Sequence, residues 1–295
     1  MRQPEIQFAA SAPGRPPGRA GWLLLAPLLA FSLAFVVAPA LIMGAYSFAE
    51  RGTLGGVVWR FTLENYAALF DPIYRGILLR SLGYAALTTA LCLLAGYPVA
   101  FWIARSAPRR RRLLLLAVTL PFWTSFLIRS YAWITILASE GLLSSLLLAL
   151  GVVAEPLALL YTPGAVVLGL VYTFLPFMIL PIYASAEKLD ASLIEAALDL
   201  GARPLGAFRR VVLPLTLPGV AAGVLLVFVP ALGLYAVNDI LGGGRVDMIG
   251  NVIENQFKGN ARNWPFGAAL GSALLLAFGA LHLALRRRQR AALPA

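Results

Sequence analysis

The chain has 295 residues, of which 60% are hydrophobic and 13% charged, with 24 Lys+Arg against 13 Asp+Glu for a formal charge of +11. Soluble domains carry about 25% charged residues, so half that complement leaves too little polar surface for a water-soluble globule. With one cysteine and one histidine, an internal disulfide framework and a His/Cys metal set cannot be built, and the basic residues sit at the ends of apolar runs rather than on the solvated face that nucleic-acid binding requires.

Residues 1–21, with Ala12, Pro13, Gly14, Pro16, Pro17 and Gly18, have no apolar period and read as a disordered cytoplasmic tail. A hydrocarbon core takes about 20 mostly apolar helical residues. Six stretches of a transmembrane domain over 22–285 meet that demand: about 22–48, 77–104, 113–137, 164–184, 217–237 and 264–285. The first is longer than a signal-peptide core of about 7–15 residues and reads as a retained span. Arg129 lies sixteen residues past Leu113, about 24 Å into a core of about 30 Å, from where its head can snorkel to the outer interface. Gly141 to Val153, bounded by Glu140 and Glu155, is too short to span and reads as a helix on the outer surface or dipping in from it. Pro98, Pro121, Pro176, Pro181, Pro218 and Pro230 fall in or beside the apolar runs, where kinked helices suit a bundle with an internal path. His282 reads as an interfacial side chain, and 286–295 as a basic cytoplasmic tail.

Between the fourth and fifth spans, residues 185–216 form more than a linker. Ser192 and Glu195 have the spacing of a capping box, which starts a helix there. Gly201 falls where a left-handed residue ends it, and Pro204 starts a second short helix at its first position. Ile194, Leu198, Leu205 and Phe208 supply apolar faces and Asp199, Arg209 and Arg210 polar ones. Helices this short are marginal alone, so they pack on the ends of the spans or on another protein.

Alternate loops differ in basic residues. Sixteen fall on the side of the termini: Arg2, Arg15, Arg19, Arg105, Arg109, Arg110, Arg111, Arg112, Lys188, Arg203, Arg209, Arg210, Arg286, Arg287, Arg288 and Arg290. Seven fall on the other: Arg51, Arg60, Arg75, Arg80, Arg245, Lys258 and Arg262. This asymmetry predicts that both termini are cytoplasmic. With Arg129 counted outward, the whole +11 lies on the inner face and the outer face has no net charge.

Glu195-Ala196-Ala197, Gly201 after three intervening residues, and Val211-Val212-Leu213-Pro214 after nine more resemble the EAA loop of bacterial ABC importer permeases. The resemblance extends over nearly all the chain from the first span onward. It runs through 121–133, 175–181, 214–219, Leu241 to Gly244 with Met248 to Asn251, and Asn263 to Gly267, and it is strongest to the spermidine/putrescine permeases. It implies an all-α polytopic protein with six transmembrane helices and the type I ABC importer permease fold, in a bacterial inner membrane. Glu195, Ala196, Ala197, Gly201, Leu213 and Pro214 would couple it to the ATPase. The implied partners are two ATPase copies, a second homologous permease and a periplasmic or lipid-tethered polyamine-binding protein. No P-loop is present, so this subunit is expected to be non-catalytic, without cofactor or metal, and ATP to be hydrolysed on another chain.

A polyamine path calls for carboxylates, carbonyls and aromatic faces. Tyr131, Trp133 and Glu140 at the outer end of the third span, and Tyr235, Asn238 and Asp239 beyond the fifth, are the candidates, with Glu254 in the following outer loop. Alternatives stand beside each: Asp239 paired with Arg245 or Arg129, Tyr131 and Trp133 in an interfacial belt, Glu254 touching the delivery protein. Permeases for another small organic cation or for phosphonate share parts of the pattern. A stand-alone secondary transporter would carry midplane carboxylates, and none is seen.

Overall fold

The computed structural model describes residues 19–53, 55–258 and 262–291. Residues 1–18 of the expected tail, residues 292–295 and the side chain of His282 lie outside that description.

The first apolar stretch forms α1 (Arg19–Ser32) and α2 (Ala38–Ser47), joined by a π-turn at Leu33–Val37. Pro39 lies four residues after Phe35, whose carbonyl a regular helix would press against the proline ring. The wider π-turn containing Phe35 relieves that clash without breaking the helix. A two-residue antiparallel ladder, β1 (Glu50–Arg51) on β2 (Val57–Val58), and α3 (Glu64–Ala68) follow. Helix α4 (Pro72–Ala104) opens on Asp71, whose carboxylate accepts the Ile73 N–H at 2.8 Å. Its 33 residues give about 50 Å, so it projects past the hydrocarbon core.

The third stretch is not one helix over 113–137. It is α5 (Pro108–Thr119), a 3₁₀ turn at Leu120–Trp123, and α6 (Phe126–Leu137), with α7 (Leu142–Ala149) following after a turn. Pro121 lies in the break, and its carbonyl takes the Thr124 backbone N–H at 3.3 Å and hydroxyl at 2.8 Å in place of a helical donor. Next come α8 (Pro163–Ala186), α9 (Ala191–Asp199) and α10 (Pro204–Ala207), then a second π-turn at Phe208–Val212 leading into α11 (Leu213–Gly233). Arg210, four residues before Pro214, lies in that π-turn, the same device as at Pro39. Then follow α12 (Tyr235–Gly242), α13 (Ile249–Lys258) and α14 (Trp264–Ala291).

Five stretches are long and apolar enough to cross a membrane: Leu25–Ser47, Pro72–Ala104, Phe126–Ala149, Pro163–Ala186 and Pro204–Gly233. Trp264–Ala280 is a shorter apolar sixth. The core forms where α4, α8 and α11 pack together, around Cys92, Ile103, Leu170, Met178, Ile182 and Val227. Small residues allow the approach: a Cβ at Gly223 would meet the Met178 Sδ at 2.7 Å. The Tyr97 hydroxyl lies 2.7 Å from the Thr216 hydroxyl and ties α4 to α11. Helix α14 packs along α2 and α13 at the edge of this trio.

Candidate functional site

Two regions gather the residues that the sequence singles out. The first is the loop after α8. Its leading helix α9 starts at Asp190, whose carboxylate accepts the Ser192 N–H at 3.0 Å. The N-cap is thus Asp190, two residues ahead of the capping box expected at Ser192 and Glu195, because a carboxylate one residue outside the helix meets the orphan amide directly. The Asp190 carboxyl is held below its usual range by these Ser192 hydrogen bonds, with Arg105 adding attraction. At the other end Gly201 has φ +83°, donates to the Leu198 carbonyl at 2.9 Å, and is followed by Ala202 donating to the Ala197 carbonyl at 3.0 Å. This is a Schellman ending, and Pro204 opens α10 as its composition requires.

Glu195 and Ala196 are exposed and Ala197 is half-buried. Leu200 is 89% exposed and Leu205 69%, with Leu193 and Leu198 also open. Beside them Gly201, Ala202, Arg203, Leu205, Gly206, Arg209 and Arg210 line a cleft of about 690 Å³. Leu213 and Pro214 lead directly into α11, and Phe208 packs edge-on against Tyr97 with ring centroids 5.5 Å apart. Phe208 thus joins the π-turn after α10 to α4, and the Tyr97–Thr216 contact joins α4 to α11. At the root of the loop Glu187 accepts a hydrogen bond from Arg111 of α5.

The second region is the bend after α11. The helix ends at Gly233 because Leu234 is extended, with ψ 95°, and α12 starts at the next residue. Helix α13 abuts this bend, since a Cβ at Gly250 would lie 2.6 Å from the Gly233 carbonyl oxygen. Asparagines lock α12 and α13 into a hairpin. Asn238 is 1% exposed and its amide donates to the Val246 carbonyl and, at 2.6 Å, to the Asn251 side-chain oxygen. Asn251 in turn donates to the Asp239 carboxylate and, at 3.3 Å, to the Tyr235 carbonyl. The Ile249 N–H donates to the Ser81 hydroxyl of α4 at 2.8 Å, which fixes the hairpin to the bundle.

Asp239, Glu254, Tyr235 and Lys258 thereby share one patch. Among the described residues the ion pairs are Arg60–Glu50, Arg111–Glu187 and Lys258–Glu254, so Asp239 pairs with neither Arg245 nor Arg129. Its carboxyl is pushed above its usual value by partial burial first and then by the Glu254 charge, with the Asn251 hydrogen bond and Lys258 acting against them. Lys258 lies 3.2 Å from the Glu254 carboxylate and 5.3 Å from the centroid of the Tyr235 ring. Gly233, Tyr235, Gly250, Ile253, Glu254, Phe257 and Lys258 line an open pocket of about 280 Å³.

The remaining candidates lie on α6 and just beyond it. Trp133 is half-buried against Tyr172 of α8, ring centroids 5.6 Å apart, and α6 packs beside α12. Arg129 lies 5.7 Å over the same Tyr172 ring and its Nε has no hydrogen-bond partner. Tyr131 and Glu140 are exposed and outside both clusters. Sequence reasoning missed Asn251, Lys258, Tyr172 and the Arg111–Glu187 pair. The four-residue spacing of Glu254 and Lys258 was a readable signal; the others depend on contacts between helices distant in sequence.

The comparisons with known proteins agree with this architecture. The chain is 46% identical over 270 residues to the spermidine/putrescine transport system permease protein PotB of Salmonella typhimurium, covering 92% of this chain and 91% of that one. It is 46% identical to PotB of Escherichia coli over 92% and 94% of the two chains. A solved bacterial alginate ABC transporter, crystallised with a pentasaccharide-bound periplasmic protein, has a chain that superposes with a TM-score of 0.67 at 19% identity, covering 90% of this chain and 91% of that one. Residues 93–291 match the family described as the inner membrane component of binding-protein-dependent transport systems, and it is to this family of inner-membrane permeases that the chain belongs.

Proposed function

We propose that this chain is a permease subunit of an ATP-driven importer for polyamines of the spermidine and putrescine class in the bacterial inner membrane. The reading is carried by the extent of the likeness to the PotB permeases, which covers about nine-tenths of both chains and so takes in the α9–α10 loop and the α12–α13 hairpin together. The chemistry of the hairpin supports it. Two carboxylates, a backbone carbonyl and an aromatic face suit alkylammonium groups, and the flanking outer surface carries no net positive charge on the topology proposed from the basic residues.

In this reading both termini face the cytoplasm and α9 docks on an ATPase of a separate polypeptide, present in two copies. A second homologous permease completes the path, and a soluble or tethered binding protein delivers the cargo. Glu195, Ala196, Ala197 and Gly201 form the docking helix, with Leu213 and Pro214 carrying its motion into α11. Asp239, Tyr235, Asn238 and Glu254 lie along the path, with Trp133, Tyr131 and Glu140 on its α6 side. Closure of the ATPases on ATP moves α9 and α10 and, through Phe208, rocks α4 and α11 toward the outward-open state.

The test is uptake of radiolabelled spermidine by cells without other polyamine import that express this chain with its partner subunits. Unlabelled spermidine and putrescine should compete, and a phosphonate should not. If neither polyamine competes, the assignment falls.

A further inference from the structure

The patch on the α12–α13 hairpin already holds an alkylammonium group, and the chain supplies it. Lys258 places its Nζ against Glu254 one helical turn earlier and over the ring of Tyr235 on the neighbouring helix. An exposed pair at this spacing stabilises a helix only weakly, and a simple surface pair would leave both partners open to water. Here the exposures are unequal. The Glu254 side chain is recessed at 20% exposure while that of Lys258 remains 67% exposed, and both line the pocket of about 280 Å³. The contact also crosses from α13 to α12, which an intrahelical pair does not require. A lysine side chain is a tetramethylene chain ending in an ammonium. That is the same chemical segment as either end of putrescine or the butyl arm of spermidine.

We infer that Lys258 is a tethered stand-in for the cargo: its ammonium occupies the Glu254–Tyr235 site between transport events and must be displaced by a substrate ammonium. This specificity-setting role rests on the polyamine reading of the hairpin. A tethered ligand competes at a high effective concentration, so cargo binds with an affinity reduced by the fraction of sites that remain open. It also answers an electrostatic need. Asp239 and Glu254 repel one another, and an internal cation offsets that repulsion when no cargo is present. The tethered cation holds the site against a monoamine, which brings only one charge of its own, but yields to a polyamine, whose second ammonium can reach Asp239. The site therefore selects for more than one positive charge.

The experiment is equilibrium binding of radiolabelled spermidine to the complete transporter in nanodiscs, without the binding protein, for wild type, Lys258→Met and Lys258→Arg. Methionine keeps an unbranched chain and removes the charge. It is expected to tighten spermidine binding about threefold to tenfold, by removing the closed fraction, and to narrow the preference for spermidine over butylamine. Arginine, which restores a tethered cation, should move both quantities back toward wild type. Unchanged or weaker binding by a Lys258→Met complex with wild-type thermal stability overturns the inference. Should that variant fail to assemble, the wild-type complex decides. Its lysines are reductively ¹³C-methylated and the Lys258 signal, assigned by its loss in Lys258→Arg, should leave the ring-shifted position as spermidine saturates. A signal that stays fixed while spermidine binds removes the stand-in role and leaves the polyamine reading intact. A complex that binds no spermidine removes both.

Discussion

Single residues in this chain act through backbone geometry in one region and through charge in the other. Gly201 has φ +83° and open space around the position of a Cβ. A side chain there clashes with nothing outside its own backbone, and the cost is purely conformational, about 1–2 kcal/mol for a left-handed residue. Gly201→Val is therefore expected to fray the end of α9 and lower transport several-fold while insertion into the membrane stays normal; uptake measured beside membrane abundance checks this. At the hairpin, Asp239→Asn keeps the hydrogen bond from Asn251 possible and removes the charge. It should reduce spermidine uptake about tenfold with little change in thermal stability, since a partly buried charge-assisted contact is worth on the order of 1.5–3 kcal/mol. Loss of assembly in its place would mark Asp239 as structural. Both residues were legible as candidates: a glycine at a helix end and a carboxylate just beyond an almost uncharged run stand out without a structure. The capping residue Asp190 was not, because Ser192 and Glu195 offered a second, better-known pattern two residues away and only the backbone conformation decides between them.

At the scale of elements, three prolines stand where a helix widens or breaks, while Pro98, Pro176, Pro181, Pro218 and Pro230 lie inside regular helices. Pro39 and Pro214 follow π-turns and Pro121 lies in a 3₁₀ turn, so the same residue type gives a continuous helix twice and an interrupted one once. Sequence pattern marks each proline as a place for a disturbance but not whether or how it occurs, which depends on whether neighbouring helices hold the two halves in line. The Arg111–Glu187 pair links α5 to the root of the α9 loop. The Glu187 carboxyl is lowered from its usual value, by hydrogen bonding with Tyr183 first, with burial opposing it next, and then by the hydrogen bond and charge of Arg111. A depressed carboxylate contributes stability that is complete above its unfolded pKa, about 4.3 for glutamate, and that is lost as the pH falls through the lower folded value. The difference in thermal stability between wild type and Glu187→Gln should thus stay constant from neutral pH down to the ordinary carboxylate range and close only below it. A difference that already shrinks between pH 7 and 6 would mean that another group holds Arg111.

For the whole molecule the proposed topology is open to a direct check, since the one cysteine, Cys92, is fully buried between α4 and α8 and gives a quiet background for labelling. Ser192→Cys is expected to react with a membrane-impermeant maleimide only from the cytoplasmic side, and Gly244→Cys only from outside. Labelling of both from one side would refute the orientation argued from the basic residues.

The sequence by itself determined that this is a helical membrane protein, where its apolar stretches lie, the distinctive loop between α8 and α11, and its family resemblance. These are properties of local composition and spacing, set by the length of helix that a bilayer demands and by the cost of bare backbone groups in hydrocarbon. The tertiary structure alone decided that α12 and α13 fold into a hairpin against α4, that Asp239 answers to Asn251 rather than to an arginine, and that Lys258 lies in the candidate cation site. Those outcomes turn on asparagine amides and glycine contacts between helices, whose energies depend on distances of a few ångströms that no linear spacing encodes.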